Sequence, residues 1–323
     1  MGGSTKQALL QALSAAEGAY ISGQQLAEAL GVSRAAVHKA AQALSAQGYA
    51  LDSAPRRGYR LAGGDPFCAE AVGPYPAPIH IYDTLQSSNL TAKQLALGGA
   101  PHGTLVLTAH QQAGRGRLGR RFESPAGKGV YLSLILRPTL SAADAQSATI
   151  SAAVAVARAV KALCGLELGI KWVNDLYYQG RKVCGILTEA ALDMESGMLD
   201  YAVLGLGFNI TAPPDGWPAE LQDVAGALFD DAPPPGARAA LAAAFLNEFW
   251  ALYHGVPKPE YLPEYRARQA LLGQTVTVTP RNGTPRKAEA LDIDEDCRLV
   301  VRFAGEHNLV PLRGEEVHLG KYL

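Results

Sequence analysis

The sequence lacks several features that would place the protein in a special class. Its four cysteines (Cys68, Cys164, Cys184 and Cys297) are far apart and form no CxxC pair, so neither a disulfide framework nor a zinc site is predicted. The first residues contain no apolar signal-peptide core, and no run approaches the roughly 18 apolar residues that cross a bilayer. We therefore expect a cytoplasmic protein with isolated thiols and no membrane partner.

An excess of either charge is also missing, because the 323 residues carry a formal net charge of −1. Any nucleic-acid surface must therefore be local rather than global. Residues 1–64 contain six Lys or Arg and three Asp or Glu, a net charge of +3, which leaves −4 for the remainder. The N-terminal segment is thus the candidate for contact with phosphates.

The length and composition, with 48% hydrophobic and 18% charged residues, predict an α+β protein of two or three domains. We place the boundaries at 1–64, 65–270 and 271–323. Strand-like and helical runs alternate in the middle segment, which predicts an α/β domain with a mixed sheet. The last segment is rich in short β runs and hairpin turns, and predicts a small β-barrel.

Residues 5–61 have the pattern of a winged helix-turn-helix. Ser22 and Ser33 are good N-caps, and Gly31 ends the helix between them. Two short strands around a basic tip follow as a wing. The side chains expected to meet DNA are Ser33, Arg34, His38, Lys39, Arg56 and Arg57. A helical dimerisation domain, or a winged helix that no longer binds DNA, is the alternative.

A loop at 111–121 combines three glycines with four arginines. Glycine lets the backbone approach a ligand, and arginine matches phosphate and carboxylate oxygens, so the loop predicts a clamp for a polyanion. The GRGRLG run satisfies the GxGxxG pattern of dinucleotide sites, but Arg120 and Arg121 lead to Ser124-Pro125 rather than to a helix. A Walker A loop is excluded as well, because Gly127-Lys128 lacks the earlier glycine and the Ser/Thr.

Three further motifs lie downstream. KWVND at 171–175 and RKVCGI at 181–186 place a polar cluster within apolar sequence, and GLGFN at 205–209 puts glycines in a strand. Glycine weakens a strand unless something approaches its backbone closely. The alternatives are a β-hairpin with charges that serve solubility, and a bulge or tight packing at the glycines.

These motifs, in this order, resemble those of the biotin–protein ligases. With the winged helix in front, the whole chain resembles the bifunctional biotin ligases that also repress the biotin operon. The resemblance implies a class II synthetase-like catalytic domain and an SH3-like C-terminal barrel. It also implies that biotin and ATP, with Mg²⁺, form biotinyl-5′-AMP and pyrophosphate, and that biotin passes to a lysine of a biotin carboxyl carrier domain. Bound biotinyl-5′-AMP would act as corepressor of a homodimer on operator DNA.

The resemblance also implies roles for individual residues. Catalytic roles fall to Arg117, Lys171, Asp175 and Lys182, with no protein metal site. Biotin would be bound by Ser87, Ser88, Gln111, Gly114, Arg115, Arg117, Lys182, Gly205 and Gly207. ATP and the adenylate would be bound by Arg115, Arg117, Arg120, Phe122, Asn174 and Asn209.

The departures from the family pattern are mild. Val173 stands where proline is common, and Phe122 replaces a frequent tryptophan, which leaves a smaller stacking surface. Two other functions stay open: a sensor that binds the ligand without transferring it, and a lipoate ligase on a related fold. Arg115, Arg117 and the two lysines argue against the sensor, and the winged helix with the GRGRLGR form favours biotin over lipoate.

Overall fold

The structure is a computed structural model. It describes all residues except 1–4, 138–143, 193–198, 232, 235, 254–259, 281–282, 315–316 and 320–323. The chain divides into two compact units, an N-terminal unit (Met1–Pro76 with Ala232–Ala243) and a large unit (Ala77–Asp231 with Ala244–Leu323). The division into three domains stays a prediction.

The N-terminal unit contains a helix-turn-helix followed by a β-hairpin. Its elements are α1 (Thr5–Ala15), α2 (Gly23–Leu30), α3 (Arg34–Ala46), β1 (Tyr49–Ala54), β2 (Gly58–Gly64) and the short α4 (Ala69–Val72). Ser22 and Gln25 form a capping box at α2, Gly31 ends α2 with a φ of 63°, and Ser33 caps α3. Each cap satisfies backbone groups that a helix end leaves unpaired. The predicted helix-turn-helix and wing are confirmed.

The large unit contains the predicted mixed sheet. Its strands are β3 (Ile79–Tyr82), β4 (Leu105–Thr108), β5 (Gly129–Leu136), β6 (Gly169–Lys171), β7 (Asp175–Tyr178), β8 (Arg181–Leu192) and β9 (Leu199–Asn209). They pair in the order β3-β4-β5-β9-β8-β7-β6. Only β3 and β4 are parallel, and the remaining pairs are antiparallel. Strand β7 forms with β8 the β-hairpin that the sequence analysis gave as an alternative.

Helices α5 (Ser88–Leu97), α6 (Asp144–Cys164) and α8 (Leu262–Ala267) belong to the large unit, and α7 (Ala237–Tyr253) begins among residues of the N-terminal unit and ends among residues of the large unit. Ser147–Cys164 in α6 is long and apolar enough to cross a membrane by length and composition alone, which the sequence analysis did not expect. Two-thirds of it is buried within the protein. Its small Ala and Val side chains pack closely in the core, as in the central helix of a globular domain.

The C-terminal residues form a five-stranded antiparallel sheet. Its strands are β10 (Thr275–Pro280), β11 (Arg286–Ile293), β12 (Leu299–Phe303), β13 (Leu309–Leu312) and β14 (Val317–Leu319), in the order β13-β12-β11-β10-β14. Within the described residues β13 and β14 are edge strands that do not pair, so the sheet is open and the predicted closed barrel is not seen. The predicted turn at 281–283 lies mostly outside the described residues.

The cysteines form no disulfide. Cys68, Cys184 and Cys297 are buried, and Cys164 is half-buried. Burial raises the pKa of Cys297 to about 11, so its thiol stays protonated and unreactive at neutral pH.

Candidate active site

A cavity of about 360 Å³ lies in the large unit, within the range of small-molecule sites. The start of α5, the glycine-arginine loop, strands β6–β9 and the segment 217–225 supply its walls. The predicted ligand and catalytic residues that line it are Ser87, Ser88, Gln111, Arg115, Arg117, Arg120, Phe122, Lys171, Asn174, Asp175, Lys182, Gly205, Gly207 and Asn209. Gly114 is the one predicted ligand residue outside this lining.

One end of the cavity is polar and hydrogen-bonded. The Ser88 backbone N–H donates to Gln111 Oε1 (2.8 Å), and Gln111 Nε2 donates to Ser124 Oγ (2.9 Å). The orientation of the Gln111 amide is therefore fixed, because a backbone N–H can only donate. Ser87 is the N-cap of α5, and its side chain makes no capping hydrogen bond to the helix. Both serines and Gln111 are buried.

The strand glycines make room for side chains that approach the sheet. A Cβ on Gly205 would lie 2.0 Å from Asn89 Oδ1, and one on Gly207 would lie 2.4 Å from the Phe122 ring. The Phe122 ring also limits the space over Gly185 in the neighbouring strand. Close approach thus explains why β9 contains glycine at these positions.

The glycine-arginine loop folds back on itself. Phe122 N–H donates to Gly114 O (2.9 Å), and Gly116 N–H donates to Arg120 O (2.7 Å). A Cβ on Gly114 would lie 2.4 Å from Phe122 O, so this turn requires glycine. A single 3₁₀ turn, Arg117–Gly119, occupies the tip. Strand β5 is the next element after the loop, and no α-helix begins directly behind it within the described residues 120–137, which argues against a dinucleotide fingerprint.

Positive charge is concentrated in a second part of the lining, called here the charged end. Lys182 Nζ lies 2.7 Å from Asp175 Oδ1, with both side chains about one-quarter exposed. Lys171 stands opposite Asp175 in the β6–β7 pair. Burial lowers the pKa of Lys171; Asp175 opposes this shift, whereas Lys182 and Arg120 add to it. Two lysines and an arginine loop at one end can neutralise a substrate with several negative charges.

Arg117 is held from two sides. Its Nη1 donates to Asn174 Oδ1 (3.2 Å), and its Nη2 donates to the carbonyl of Gly314, which follows β13 in the C-terminal sheet. Asn174 in turn donates from Nδ2 to Ile186 O (2.6 Å). Both ends of the Asn174 amide are therefore engaged by the protein, and the guanidinium of Arg117 is oriented by two separate parts of the chain.

Asn209 fixes the far wall of the cavity. Its Nδ2 donates to Gly226 O (2.9 Å), and Lys182 exchanges backbone hydrogen bonds with Val224 and Gly226. Asn209 Oδ1 is buried without a hydrogen-bond partner. Sequence reasoning missed the apolar side chains of this wall, which are Trp217, Leu221, Val224 and Ala225. They lie in an irregular segment with no periodicity that could have marked them.

Asn89 was also missed, although it lies beside Ser88 in the cavity lining. It is buried and belongs to the first turn of α5.

The six predicted DNA-contacting side chains are all exposed in the N-terminal unit. His38 Nδ1 lies 3.0 Å from Tyr59 Oη, which connects α3 to the wing strand β2. Arg57 stacks on the Tyr20 ring at 4.1 Å, and Ser33 Oγ is already used in capping α3. Arg34, Lys39 and Arg56 form no ion pair within the described residues and are the side chains best placed for phosphate contacts.

Comparisons with known proteins agree with this arrangement. Residues 82–209 match the profile of the Biotin/lipoate A/B protein ligase family, and residues 5–60 match an HTH domain. The bifunctional ligase/repressor BirA of Bacillus subtilis is 34% identical over 305 residues, covering 91% of this chain and 92% of that protein. The biotin--[acetyl-CoA-carboxylase] ligase of Mycobacterium tuberculosis is 31% identical over 240 residues, covering 72% of this chain and 86% of its own length.

Among solved structures, the biotin protein ligase from Aquifex aeolicus in complex with biotin and ATP superposes with a TM-score of 0.61. The identity is 20%, and the match covers 76% of this chain and 99% of the other. At this identity the match shows the shared fold.

Proposed function

Because the chain belongs to the biotin protein ligase family, and shares with its bifunctional members an N-terminal helix-turn-helix, we propose the following roles for its sites. The protein is an ATP-dependent biotin–protein ligase that carries a DNA-binding repressor domain. The observation that carries the assignment of the cavity is the convergence of four separate sequence motifs on one space, with a polar end and a positively charged end.

The polar end is the proposed binding site of the biotin ureido ring. A ureido group has one acceptor oxygen and two N–H donors, and it needs hydroxyl and amide partners when it is removed from water. Ser87, Ser88 and Gln111 supply these partners in a buried position. The dithiolane ring of lipoate has no groups that can make such hydrogen bonds, so it would gain nothing from these polar side chains. This end of the cavity therefore favours biotin within the biotin/lipoate family.

The charged end is the proposed site of adenylation. An oxygen of the biotin carboxylate attacks the α-phosphorus of ATP, the bond to the bridging oxygen breaks, and pyrophosphate leaves with the electron pair. Two anions must meet in this step, so fixed positive charge lowers the barrier. Lys182, paired with Asp175, and Arg117, oriented by Asn174 and Gly314, supply that charge, with Lys171 and Arg115 in support. These roles rest on the resemblance and on the positions of the side chains.

The apolar wall at 217–225 and the Phe122 ring are the proposed binding surfaces for adenine, with Asn209 beside them and Arg120 near the phosphates. Asp175 and Glu123 are the carboxylates of the lining, and no group of three metal-binding side chains occurs among the described residues. Two carboxylates are enough for an ion such as Mg²⁺, whose other ligands are usually the phosphates of the nucleotide and water. Mg²⁺ would enter bound to the ATP phosphates and would neutralise their charge, with Asp175 as a neighbouring carboxylate of the lining.

In the second step, the amine of a carrier-domain lysine attacks the carbonyl carbon of biotinyl-5′-AMP. The amide bond forms, AMP leaves, and the amine loses a proton. The resemblance further assigns a class II synthetase-like form to the catalytic domain and an SH3-like form to the C-terminal sheet. The contact of Gly314 with Arg117 gives this sheet a direct part in shaping the adenylation site.

The repressor function couples this site to operator DNA. Biotinyl-5′-AMP, retained when no carrier is present, would act as corepressor by favouring a homodimer whose two winged helices match a palindromic operator. Because adenylate binding and DNA binding are thermodynamically linked, the adenylate can raise the affinity for DNA only by the factor by which it binds the dimer more tightly than the monomer.

Two assays on the full chain test the proposal. After incubation with biotin and MgATP, mass spectrometry should detect retained biotinyl-adenylate, and added carrier domain should gain one biotin. A gel shift on the operator should strengthen when both ligands are present. Retained adenylate without transfer to any carrier domain would indicate the sensor instead, and operator binding indifferent to both ligands would refute the coupling.

A further inference from the structure

One hydrogen bond in the N-terminal unit joins helix α3 to the wing and has no assigned role. His38 Nδ1, on α3, lies 3.0 Å from the hydroxyl oxygen of Tyr59, on β2. The His38 side chain is exposed, whereas Tyr59 is half-buried and packs against the hydrophobic core of the helix-turn-helix. Exposed side chains on a helix normally exchange between rotamers within nanoseconds. The contact with Tyr59 restricts this freedom for His38.

Tyr59 is a rigid partner because its backbone is paired on both sides. It stands opposite Ser53 in the β1–β2 hairpin, and on its other side it exchanges two backbone hydrogen bonds of 2.9 Å with Ile21. A Cβ on Gly58 would lie 2.0 Å from Ile21 O, so glycine at this position allows the wing to approach the segment before α2. The Tyr59 hydroxyl is thus held in a constant place beside α3.

The position of His38 on α3 indicates which part of DNA it meets. The side of α3 that faces the core consists of its four buried residues, which are Val37, Ala40, Ala41 and Leu44. At about 100° per residue, the opposite side presents Ala35 and Lys39. His38 lies between these two sides, on the edge that contacts the wing. When such a helix lies in the major groove, the side opposite the core faces the base edges and the edges of the helix face the phosphate backbones.

The Tyr59 hydroxyl also determines which nitrogen of His38 is left for a ligand. A neutral imidazole has one N–H donor and one acceptor nitrogen. A phenol O–H is more acidic than an imidazole N–H, and an imidazole nitrogen is more basic than a phenol oxygen, so we assign Tyr59 Oη as the donor and His38 Nδ1 as the acceptor. The ring proton of neutral His38 is then on Nε2. This N–H is the donor that remains for a phosphate oxygen, which can only accept.

We propose that Tyr59 is a positioning residue that orients His38, so that the Nε2–H of His38 donates to a phosphate oxygen of bound DNA. The inference rests on the proposed DNA-binding function of the N-terminal unit. A neutral histidine releases no counterion from DNA, so this contact adds affinity without making binding more dependent on salt, unlike a contact made by Lys39. It also contributes equally on every sequence, because the phosphate backbone carries no base identity.

The test is a double-mutant cycle of Tyr59→Phe, which keeps the ring and removes the hydroxyl, with His38→Ala. Binding of the full chain is measured at pH 8 by fluorescence anisotropy, with biotin and MgATP present. One labelled duplex is selected by the wild-type chain from a random-sequence pool, and the other has an unrelated sequence. Each single variant should raise the Kd about fivefold on both duplexes, the scale of one neutral hydrogen bond. In the His38→Ala background, Tyr59→Phe should change the Kd by less than about twofold.

Two further measurements separate positioning from simple stabilisation. The slope of log K against log salt should be the same in Tyr59→Phe and in the wild type. Tyr20→Phe, which removes a tyrosine hydroxyl from the same unit and keeps the ring on which Arg57 stacks, is the matched control and should leave the Kd unchanged.

Three results would overturn the inference: equal weakening by Tyr59→Phe with and without His38, weakening confined to the selected duplex, or an unchanged Kd in Tyr59→Phe. The first would mean that Tyr59 only stabilises the fold, and the second that His38 reads a base. Failure of the wild-type chain to bind either duplex would instead refute the DNA-binding function proposed for this unit.

Discussion

At the residue scale, the charged side chains of the cavity are oriented by specific partners before any ligand is considered. Lys182 is paired with Asp175, and Arg117 is held by Asn174 and the Gly314 carbonyl. Such pre-orientation matters in a reaction between two anions, because charge fixed in advance requires no reorganisation in the transition state.

Lys182→Ala is expected to reduce adenylate formation by about a hundredfold or more, the scale of losing one transition-state donor. Pyrophosphate exchange into ATP, dependent on biotin, measures this step without the carrier. Lys287→Ala, which removes an exposed lysine in the C-terminal sheet, is the control for loss of positive charge. Exchange within threefold of wild type in Lys182→Ala would refute the role assigned to this lysine.

At the element scale, two hairpins determine the geometry of the site. The β6–β7 pair brings Lys171 opposite Asp175, and the β7–β8 pair, which turns at Gln179 and Gly180, brings Lys182 back to the same carboxylate. The hairpin that the sequence analysis weighed as an alternative to a functional cluster is therefore present, and its charges line the cavity. The hairpin and the charged cluster are therefore the same feature, because the turn between β7 and β8 brings Lys182 next to Asp175.

Helix α3 and the wing form the element on which DNA binding depends. Lys39→Ala removes an exposed cation from α3, and a phosphate contact of this kind weakens binding on every sequence alike. In gel shifts at several salt concentrations, the slope of log K against log salt should decrease in magnitude by about one. Ligase activity should not change. Glu28→Gln on α2 is the control, and an unaltered slope in Lys39→Ala would remove this residue from the interface.

At the scale of the whole molecule, three glutamates of the large unit predict loss of stability in acid. Hydrogen bonds from basic partners hold the pKa of Glu167 below its ordinary value of 4.5, and the pKa values of Glu189 and Glu264 are lowered by such bonds against the opposing effect of burial. The folded state therefore binds fewer protons than the unfolded state once pH falls below about 4.5, and the free energy of unfolding decreases there.

Urea unfolding between pH 7 and pH 3 measures this loss. The midpoint should be nearly constant above pH 5 and should fall below pH 4.5. The Glu264→Gln variant, which no longer has a carboxylate between Arg158 and Arg268, should show a shallower fall. A wild-type midpoint that does not change down to pH 3 would contradict the prediction.

Local signals in the sequence were enough to determine the helix-turn-helix and the family. The caps at Ser22, Gly31 and Ser33 act within a few residues of themselves, so the sequence shows them directly. The glycine-arginine loop and the motifs downstream of it are short and contiguous, and their order identifies a biotin protein ligase without coordinates.

Only the tertiary structure decided which groups support the site. The Asn89–Glu189 hydrogen bond joins residues 100 apart, and the Arg117–Gly314 hydrogen bond joins residues 197 apart. The apolar wall at 217–225 has no periodic pattern, and the open C-terminal sheet differs from the barrel that its hairpins predicted. Contacts of this kind depend on how strands and helices align across the molecule, and neither periodicity nor capping in a single segment specifies that alignment.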